Sequence, residues 1–215
     1  MNVLVIGANG QIGKHIVKML GLSTQHNVKA MIRKEEQIST MEELGADSIV
    51  IGDLEEDFSH AFSDVDAVIF TAGSGGDTGK DMTEKIDREA AIKSVEYAEN
   101  SNVKRYVMIS SIGADAPEKA DDNIRHYIEA KRAADDALKE SGLTYTILRP
   151  GPLSNDDGQG TVKATKKLDS YDGSIPREDV ANVAVNVLTL DETYNEIIEL
   201  LSGDTAIGEA LKTFK

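Results

Sequence analysis

The chain predicts an α/β fold, a Rossmann-type doubly wound parallel sheet of about seven strands with helices on both faces. Three observations carry that expectation. Short apolar runs rich in β-branched residues alternate with helical apolar patterns almost to the end of the chain. The first run passes directly into three glycines at three-residue spacing and then a helical stripe. The length of 215 residues, 40% hydrophobic and 28% charged, suits one sizeable core and a soluble globular class.

The elements follow in order. Residues 3–6, Val-Leu-Val-Ile, form the first strand, and Ile12, Ile16, Val17, Met19 and Leu20 stripe the first helix. Further strands are expected at 28–32, 48–51, 67–70, 106–109 and 145–148, with later candidates at 160–165 and 196–201. Helices are expected at 35–44, 55–62, 81–100, 121–141 and 177–190, with a short closing helix at 207–214. On the 81–100 helix, Asp87 shares a face with Ala91, Val95 and Ala98, so its carboxylate should point inward. Ser141-Gly142 reads as the C-cap of the 121–141 helix. No repeat or linker divides the chain. One domain is expected over 1–215, with cofactor elements mainly in 1–150 and substrate-side elements mainly in 151–215.

Strand, glycine turn and helix in that order match a dinucleotide fingerprint, in the variant whose first gap is two residues. Gly7 lets the chain leave the strand in a tight turn, Gly10 removes a Cβ from the path of a pyrophosphate, and Gly13 lets the helix sit close. The helix N-terminal amides then face the phosphates. At the end of the second strand, an NAD-binding site would carry a carboxylate for the ribose 2′-hydroxyl. Arg33-Lys34 stands there instead, a pair suited to the 2′-phosphate of NADP(H), so NAD(H) is the less favoured cofactor. Asp53-Leu54 and Thr71-Ala72-Gly73 follow the third and fourth strands, at the carboxyl ends where open α/β sheets bind ligands. Either could equally be turn chemistry.

Tyr127 and Lys131 lie one helical turn apart on the helix after the fifth strand, which ends in Ser110-Ser111. An ammonium ~5 Å from a phenolate is worth ~3 kcal/mol at an effective dielectric near 20. That would carry a tyrosine from about 10 toward neutrality and fit it for proton exchange with a carbonyl or alcohol oxygen. The alternative is a surface Tyr and Lys on an amphipathic helix.

The formal charge is −15, and residues 35–79 hold twelve acidic side chains with no Lys or Arg. Such a surface repels nucleic acid and anionic lipid, so neither is an expected partner. There is no cysteine, and the four histidines lack ligand spacing, so no disulfide or metal site is expected. No run reaches transmembrane length and the first residues enter a strand directly, which fits a cytoplasmic protein.

Taken together, Gly7/Gly10/Gly13, Asp53, Thr71-Ala72-Gly73, Ser110-Ser111, Tyr127/Lys131 and Arg149-Pro150-Gly151 resemble a short-chain dehydrogenase/reductase. More narrowly, they resemble its atypical small-domain branch of NAD(P)-binding, NAD-dependent epimerase/dehydratase-like proteins. The likeness runs through Gly203-Asp204-Thr205, Ile207 and Ala210-Leu211. It implies a seven-stranded sheet and NADP(H) held by Gly7, Asn9, Gly10, Gln11, Ile12, Gly13, Arg33, Lys34, Asp53, Leu54, Thr71, Ala72, Gly73, Ser110, Lys131, Pro150, Gly151 and Pro152. It also implies Tyr127 as acid/base, Lys131 on the nicotinamide ribose, and Ser111 on the substrate oxygen. Asp87 stands where many members carry Asn, and a carboxylate adds charge to the proton path.

The resemblance therefore implies an NADP(H)-dependent oxidoreductase for a small carbonyl or alcohol. Epimerase, dehydratase or flavin-reductase-like activity is the variant, and a non-catalytic NADP(H)-binding sensor the alternative class. The substrate pocket is expected between the 112–123 loop and the 152–172 segment, whose acidic residues disfavour a bulky polyanion.

Overall fold

The computed structural model describes residues 1–75 and 79–214. The chain opens with β1 (Asn2–Ile6), α1 (Gln11–Gly21), β2 (Asn27–Ile32), α2 (Ile38–Glu43), β3 (Ser48–Ile51) and β4 (Ala67–Phe70). Next come α3 (Lys80–Met82), a π-helical stretch (Thr83–Ala90) and α4 (Ala91–Asn100) without a break, then β5 (Arg105–Ile109), α5 (Arg125–Glu140) and β6 (Thr144–Pro150). The last part holds β7 (Leu153–Ser154), β8 (Thr161–Thr165), β9 (Ile175–Pro176), α6 (Arg177–Asn186), β10 (Glu196–Ser202), β11 (Thr205–Ala206) and α7 (Ile207–Leu211).

The main sheet has nine strands in the order β11-β8-β10-β6-β5-β4-β1-β2-β3. The run from β10 to β3 is parallel throughout and accounts for the seven expected strands. Two antiparallel edge strands, β8 and β11, extend it beyond that number. β7 and β9 form a separate parallel pair after β6. Strand order reverses between β1 and β4, which opens a crevice at their carboxyl ends.

Alternate residues of the parallel strands feed two cores. Val3, Val5, Val107 and Leu148 pack with Ile16, Val17 and Leu20 of α1 and with Val180, Val183 and Ala184 of α6. Leu4, Ile6, Val68, Tyr106 and Ile147 pack with Val95 and Ala98 of α4 and Ala134 and Leu138 of α5. The central strands are therefore apolar on both faces, which is why they read as continuous runs. Among the described residues, no helix is long and apolar enough to cross a membrane.

Several expected boundaries shift. The 55–62 helix shrinks to a 3-10 turn at Ser59–Phe62, because Asp53 and Asp57 turn the chain by accepting from the amides of Glu55 and Ser59. Residues 35–44 split into a 3-10 turn, Glu35–Gln37, and α2. α5 starts at Arg125, α6 stops at Asn186 and α7 at Leu211. Gly142 takes no left-handed cap. Ser141 ends α5 in extended backbone, and its hydroxyl donates to the Leu138 carbonyl at 2.7 Å.

Candidate functional site

The glycine loop is shaped for close approach. Gly7 sits at φ +86°, and a Cβ there would meet the Ala72 amide nitrogen at 2.7 Å, so the loop and the segment after β4 touch through backbone. A Cβ on Gly13 would fall 2.2 Å from the Gly7 carbonyl, so Gly13 seats α1 on this loop. At Gly10 the only near neighbour is the Gly7 carbonyl, at 3.1 Å, and the outer side is open. The first helical bond of α1 runs from Lys14 N to Gly10 O, which leaves the amides of Gln11, Ile12 and Gly13 ahead of it. No side chain caps this end and no acid occupies its first turn. That open set of donors fits a dinucleotide diphosphate. A groove of about 300 Å³ flanks it, lined by Gln11, Lys14, His15 and the 154–157 segment.

Register places the neighbouring candidates around this crevice. Ile6 of β1 faces Met31 of β2, so Arg33 and Lys34 follow at the same edge, both exposed. Lys34 pairs with Glu36 at 3.4 Å, whereas Arg33 has no ion pair among the described residues. Asp53 Oδ1 accepts the Glu55 amide at 3.0 Å, and Leu54 lines a second groove of about 330 Å³ with Lys85, Glu89 and Lys93. Thr71 extends the ladder, its amide donating to Ile6 O, and its hydroxyl oxygen is buried without a hydrogen-bond partner. A Cβ on Gly73 would lie 3.2 Å from Asp87 Oδ1.

Asp87 is fully buried, as its phase predicted, although the backbone around it is π-helical. Oδ2 accepts from the Ser74 amide at 3.0 Å, and Oδ1 meets the Lys131 ammonium at 3.0 Å. Lys131 also donates to the Ile109 carbonyl at 3.4 Å and lies 5.6 Å from the centre of the Tyr127 ring. Burial pushes the Lys131 ammonium down, but Tyr127, Asp87 and Asp135 outweigh it and hold the group above the ordinary lysine value. The structure thus gathers Asp87, Lys131 and Tyr127. The Tyr127 hydroxyl makes no hydrogen bond among the described residues. Ser111 Oγ turns to the Ile112 carbonyl, at 3.2 Å, rather than toward the phenol.

A second buried pair adjoins the first. Asp135, one turn beyond Lys131 on α5, is fully buried and accepts from Arg149 Nε and Nη2 at 3.0 and 2.8 Å. Burial raises the Asp135 carboxyl above the usual range against the pull of Arg149, Ser110 and Lys131. Ser110 Oγ lies beside this carboxylate outside hydrogen-bond geometry, and both Ser110 Oγ and Asp135 Oδ1 stay buried without a partner. Arg149 Nη1 stands 3.7 Å from Asp115, whose other oxygen meets Lys167 at 2.8 Å. The 112–123 loop and the 152–172 segment therefore meet through Asp115 and Lys167. Sequence reasoning overlooked Asp135, Lys167 and Glu199. Two signals were available: Asp135 is i+4 from Lys131, and Glu199 interrupts an apolar strand.

After β6, Gly151 answers first to the protein itself: a Cβ there would strike Leu201 Cδ2 at 2.5 Å. Its amide donates to Leu200 O, while the Pro150 and Pro152 carbonyls accept from Ile112 and Ile175.

Comparison with known proteins gives concordant matches. The family model described as NAD(P)H-binding matches residues 7–191. A Bacillus subtilis (strain 168) protein named as an uncharacterised sugar epimerase, YhfK, is 44% identical, over 99% of both chains. A solved Bacillus halodurans structure, named for a proposed NAD-dependent epimerase/dehydratase activity, is 45% identical with a TM-score of 0.96, over 99% of both chains. The oxidoreductase ylbE of Lactococcus lactis is 28% identical with a TM-score of 0.86, over 99% of this chain and 96% of that one.

Proposed function

The chain belongs to the NAD(P)H-binding family, and from that premise we propose that it is an NADP(H)-dependent oxidoreductase that reduces a small carbonyl, with Tyr127 as the proton donor. The observation that carries this reading is the buried Lys131 ammonium, one turn from Tyr127 and 5.6 Å from its ring centre, on the Ile109 carbonyl that ends β5 just before Ser110-Ser111. When bound, NADPH supplies the hydride. The amides of Gln11, Ile12 and Gly13 hold the diphosphate, and Arg33, free of an ion pair among the described residues, takes the 2′-phosphate. Lys131 would orient the ribose, and Pro150 and Gly151 would lie on the nicotinamide side. Ser111 Oγ reaches a substrate oxygen by a χ1 rotation away from Ile112 O. Tyr127 would give its phenol proton to the substrate oxygen as the carbonyl is reduced, and the resulting tyrosinate would be reprotonated from water, leaving an alcohol.

NADPH oxidation across a panel of small aldehydes and ketones tests the proposal, with NADH in parallel. Turnover with at least one carbonyl is expected, abolished in Tyr127→Phe. A wild-type protein that binds NADPH and turns over nothing refutes the enzyme and favours a second reading, a dinucleotide-binding sensor. One observation supports that reading: Asp87 already occupies the Lys131 ammonium at 3.0 Å. The name of the Bacillus subtilis relative supports a third outcome, epimerisation through transient oxidation, which isotope exchange at a sugar carbon without net NADPH loss would reveal.

A further inference from the structure

β10 carries a carboxylate inside an apolar strand. Glu199 is fully buried and stands in register beside Arg149 of β6, yet its hydrogen bonds all come from residues 167–171. Leu168 N donates to Oε2 at 2.8 Å, and Lys167 Nζ and Tyr171 OH both reach Oε1 at 3.1 Å. Lys167 also meets the Tyr171 hydroxyl and, at 2.8 Å, Asp115. All three ammonium donors are therefore engaged. Asp115 lies four residues beyond Ser111, in a turn where Ala114 N donates to Ser111 O. Elsewhere the segment is held by Lys166 Nζ on Glu196 at 2.8 Å and by Leu168, its one buried side chain, while residues 169–173 are exposed and Gly173 turns at φ +112°.

We propose that residues 166–172 are a lid over the substrate side of the site, and that Lys167 is the positioning residue that clasps it. What lies beneath the lid rests on the oxidoreductase reading; the clasp itself does not. Two features distinguish a lid from a permanent buttress. The Lys167–Asp115 half of the clasp is made of partly exposed charges, 55% and 39% exposed, which water can replace at little cost. In the open arrangement Glu199 turns to Arg149, its register neighbour on β6, which in the closed one is held by Asp135. The segment thus has two charge-satisfied arrangements, the requirement for a two-state element.

The chain has no cysteine, so Ser111→Cys introduces a single thiol as a reporter beneath the lid. We would measure its labelling by Ellman's reagent with Lys167 intact, with Lys167→Met and with Lys167→Arg. Amide exchange of 166–172 would be followed in chains with Ser111 intact. Lys167→Met should speed both labelling and exchange by about tenfold or more, while Lys167→Arg stays near the parent. NADPH affinity should hold within about twofold. If Lys167→Met proves unstable by circular dichroism, Tyr171→Phe, which removes one link to Glu199, should shift both rates the same way by less. Unchanged exchange overturns the clasp, and faster exchange with unchanged labelling overturns the lid. A chain that reduces no carbonyl would sink the oxidoreductase reading while leaving both rates readable.

Discussion

The Asp87–Lys131 pair gives the sharpest test of the site. At 3.0 Å, with both side chains buried, its direct attraction is about 5 kcal/mol at an effective dielectric near 20, offset by the dehydration of two ions. Removing one partner of such a pair typically costs ~3–5 kcal/mol, because the other charge is left buried alone. Asp87→Asn keeps an oxygen acceptor for Lys131, so its cost should lie at the low end, ~2–3 kcal/mol. For a chain of this size ~1 kcal/mol moves the melting temperature by roughly 2–4 °C, so the variant should melt about 5–10 °C lower. Lys131→Met alone should cost a similar amount. The double variant buries no lone charge and should lose clearly less than the sum, with a coupling of ~2 kcal/mol. The sign with pH follows from Lys131. Its ammonium is held above the ordinary 10.5, so the pair contributes fully below that value and is lost as pH rises through the raised one.

Circular dichroism melts and urea titrations of the four proteins measure the cycle at neutral pH, since the chain has no tryptophan to report by fluorescence. Additivity within ~0.5 kcal/mol would refute the coupling. The same variant tests chemistry. With Asp87 neutral, the ammonium acts on the phenol without a counter-charge, so the alkaline limb of NADPH oxidation should move to lower pH. A profile identical to wild type removes Asp87 from the proton path.

Three further outcomes are expected. Arg33→Ala should weaken NADPH binding by roughly 10- to 150-fold, the loss of one charged hydrogen bond, while NADH binding barely changes; equal wild-type affinities for the two cofactors would defeat the 2′-phosphate argument. Tyr127→Phe should lower kcat by about 10²–10⁴ with NADPH affinity held within a few-fold, and an enzyme as fast as wild type ends the role of the phenol. Gly13→Ala places a methyl 2.2 Å from the Gly7 carbonyl, so α1 must lift off its loop. Its cost should be ~1–3 kcal/mol, with NADPH binding lost first; calorimetric binding that matches wild type would show that the loop tolerates the shift.

The central strands were legible because a parallel sheet buried on both faces leaves uninterrupted apolar runs, as at residues 67–70, which match β4 residue for residue; residues 48–51 match β3 as well, although it is the half-exposed edge strand. The 55–62 region was not legible as a turn. Its apolar residues Phe58, Ala61 and Phe62 pack inward, while Asp53 and Asp57 claim the amides a helix would need. The inward face of Asp87 was readable from spacing even though the π-helical turn was not, because one widened turn leaves the face of Ala91, Val95 and Ala98 in place. Lys167 was invisible for a different reason. Its partners, Asp115 and Glu199, lie 52 and 32 residues away, and no local periodicity records such pairing. Gly151 had a clear signal and a second cause, since its missing Cβ makes room for Leu201.

The charges form one alternating line, buried except at Asp115 and Lys167: Asp87, Lys131, Asp135, Arg149, Asp115, Lys167, Glu199. Successive contacts are 3.0 Å for Lys131–Asp87, 2.8 Å for Arg149–Asp135, 3.7 Å for Arg149–Asp115, 2.8 Å for Lys167–Asp115 and 3.1 Å for Lys167–Glu199. Lys131 and Asp135 are coupled through one turn of α5 rather than by contact. For stability alone, apolar side chains would serve these interior positions as well, because desolvation consumes most of what a buried pair returns. The line costs little where it is and ties together six pieces: the π-helical turn, α5, the end of β6, the loop beyond Ser111, the lid segment and β10. Arg149 stands in register beside Glu199, so loss of Lys167 would leave that acid with Arg149 as its neighbouring cation. A change at the lid can thereby reach Lys131 and Tyr127 through exchange of partners, with no movement of the sheet. That predicts a dependence on Lys167 at Tyr127 itself: Lys167→Met should alter the pH profile of NADPH oxidation, and a profile unchanged from wild type would break the line at Arg149.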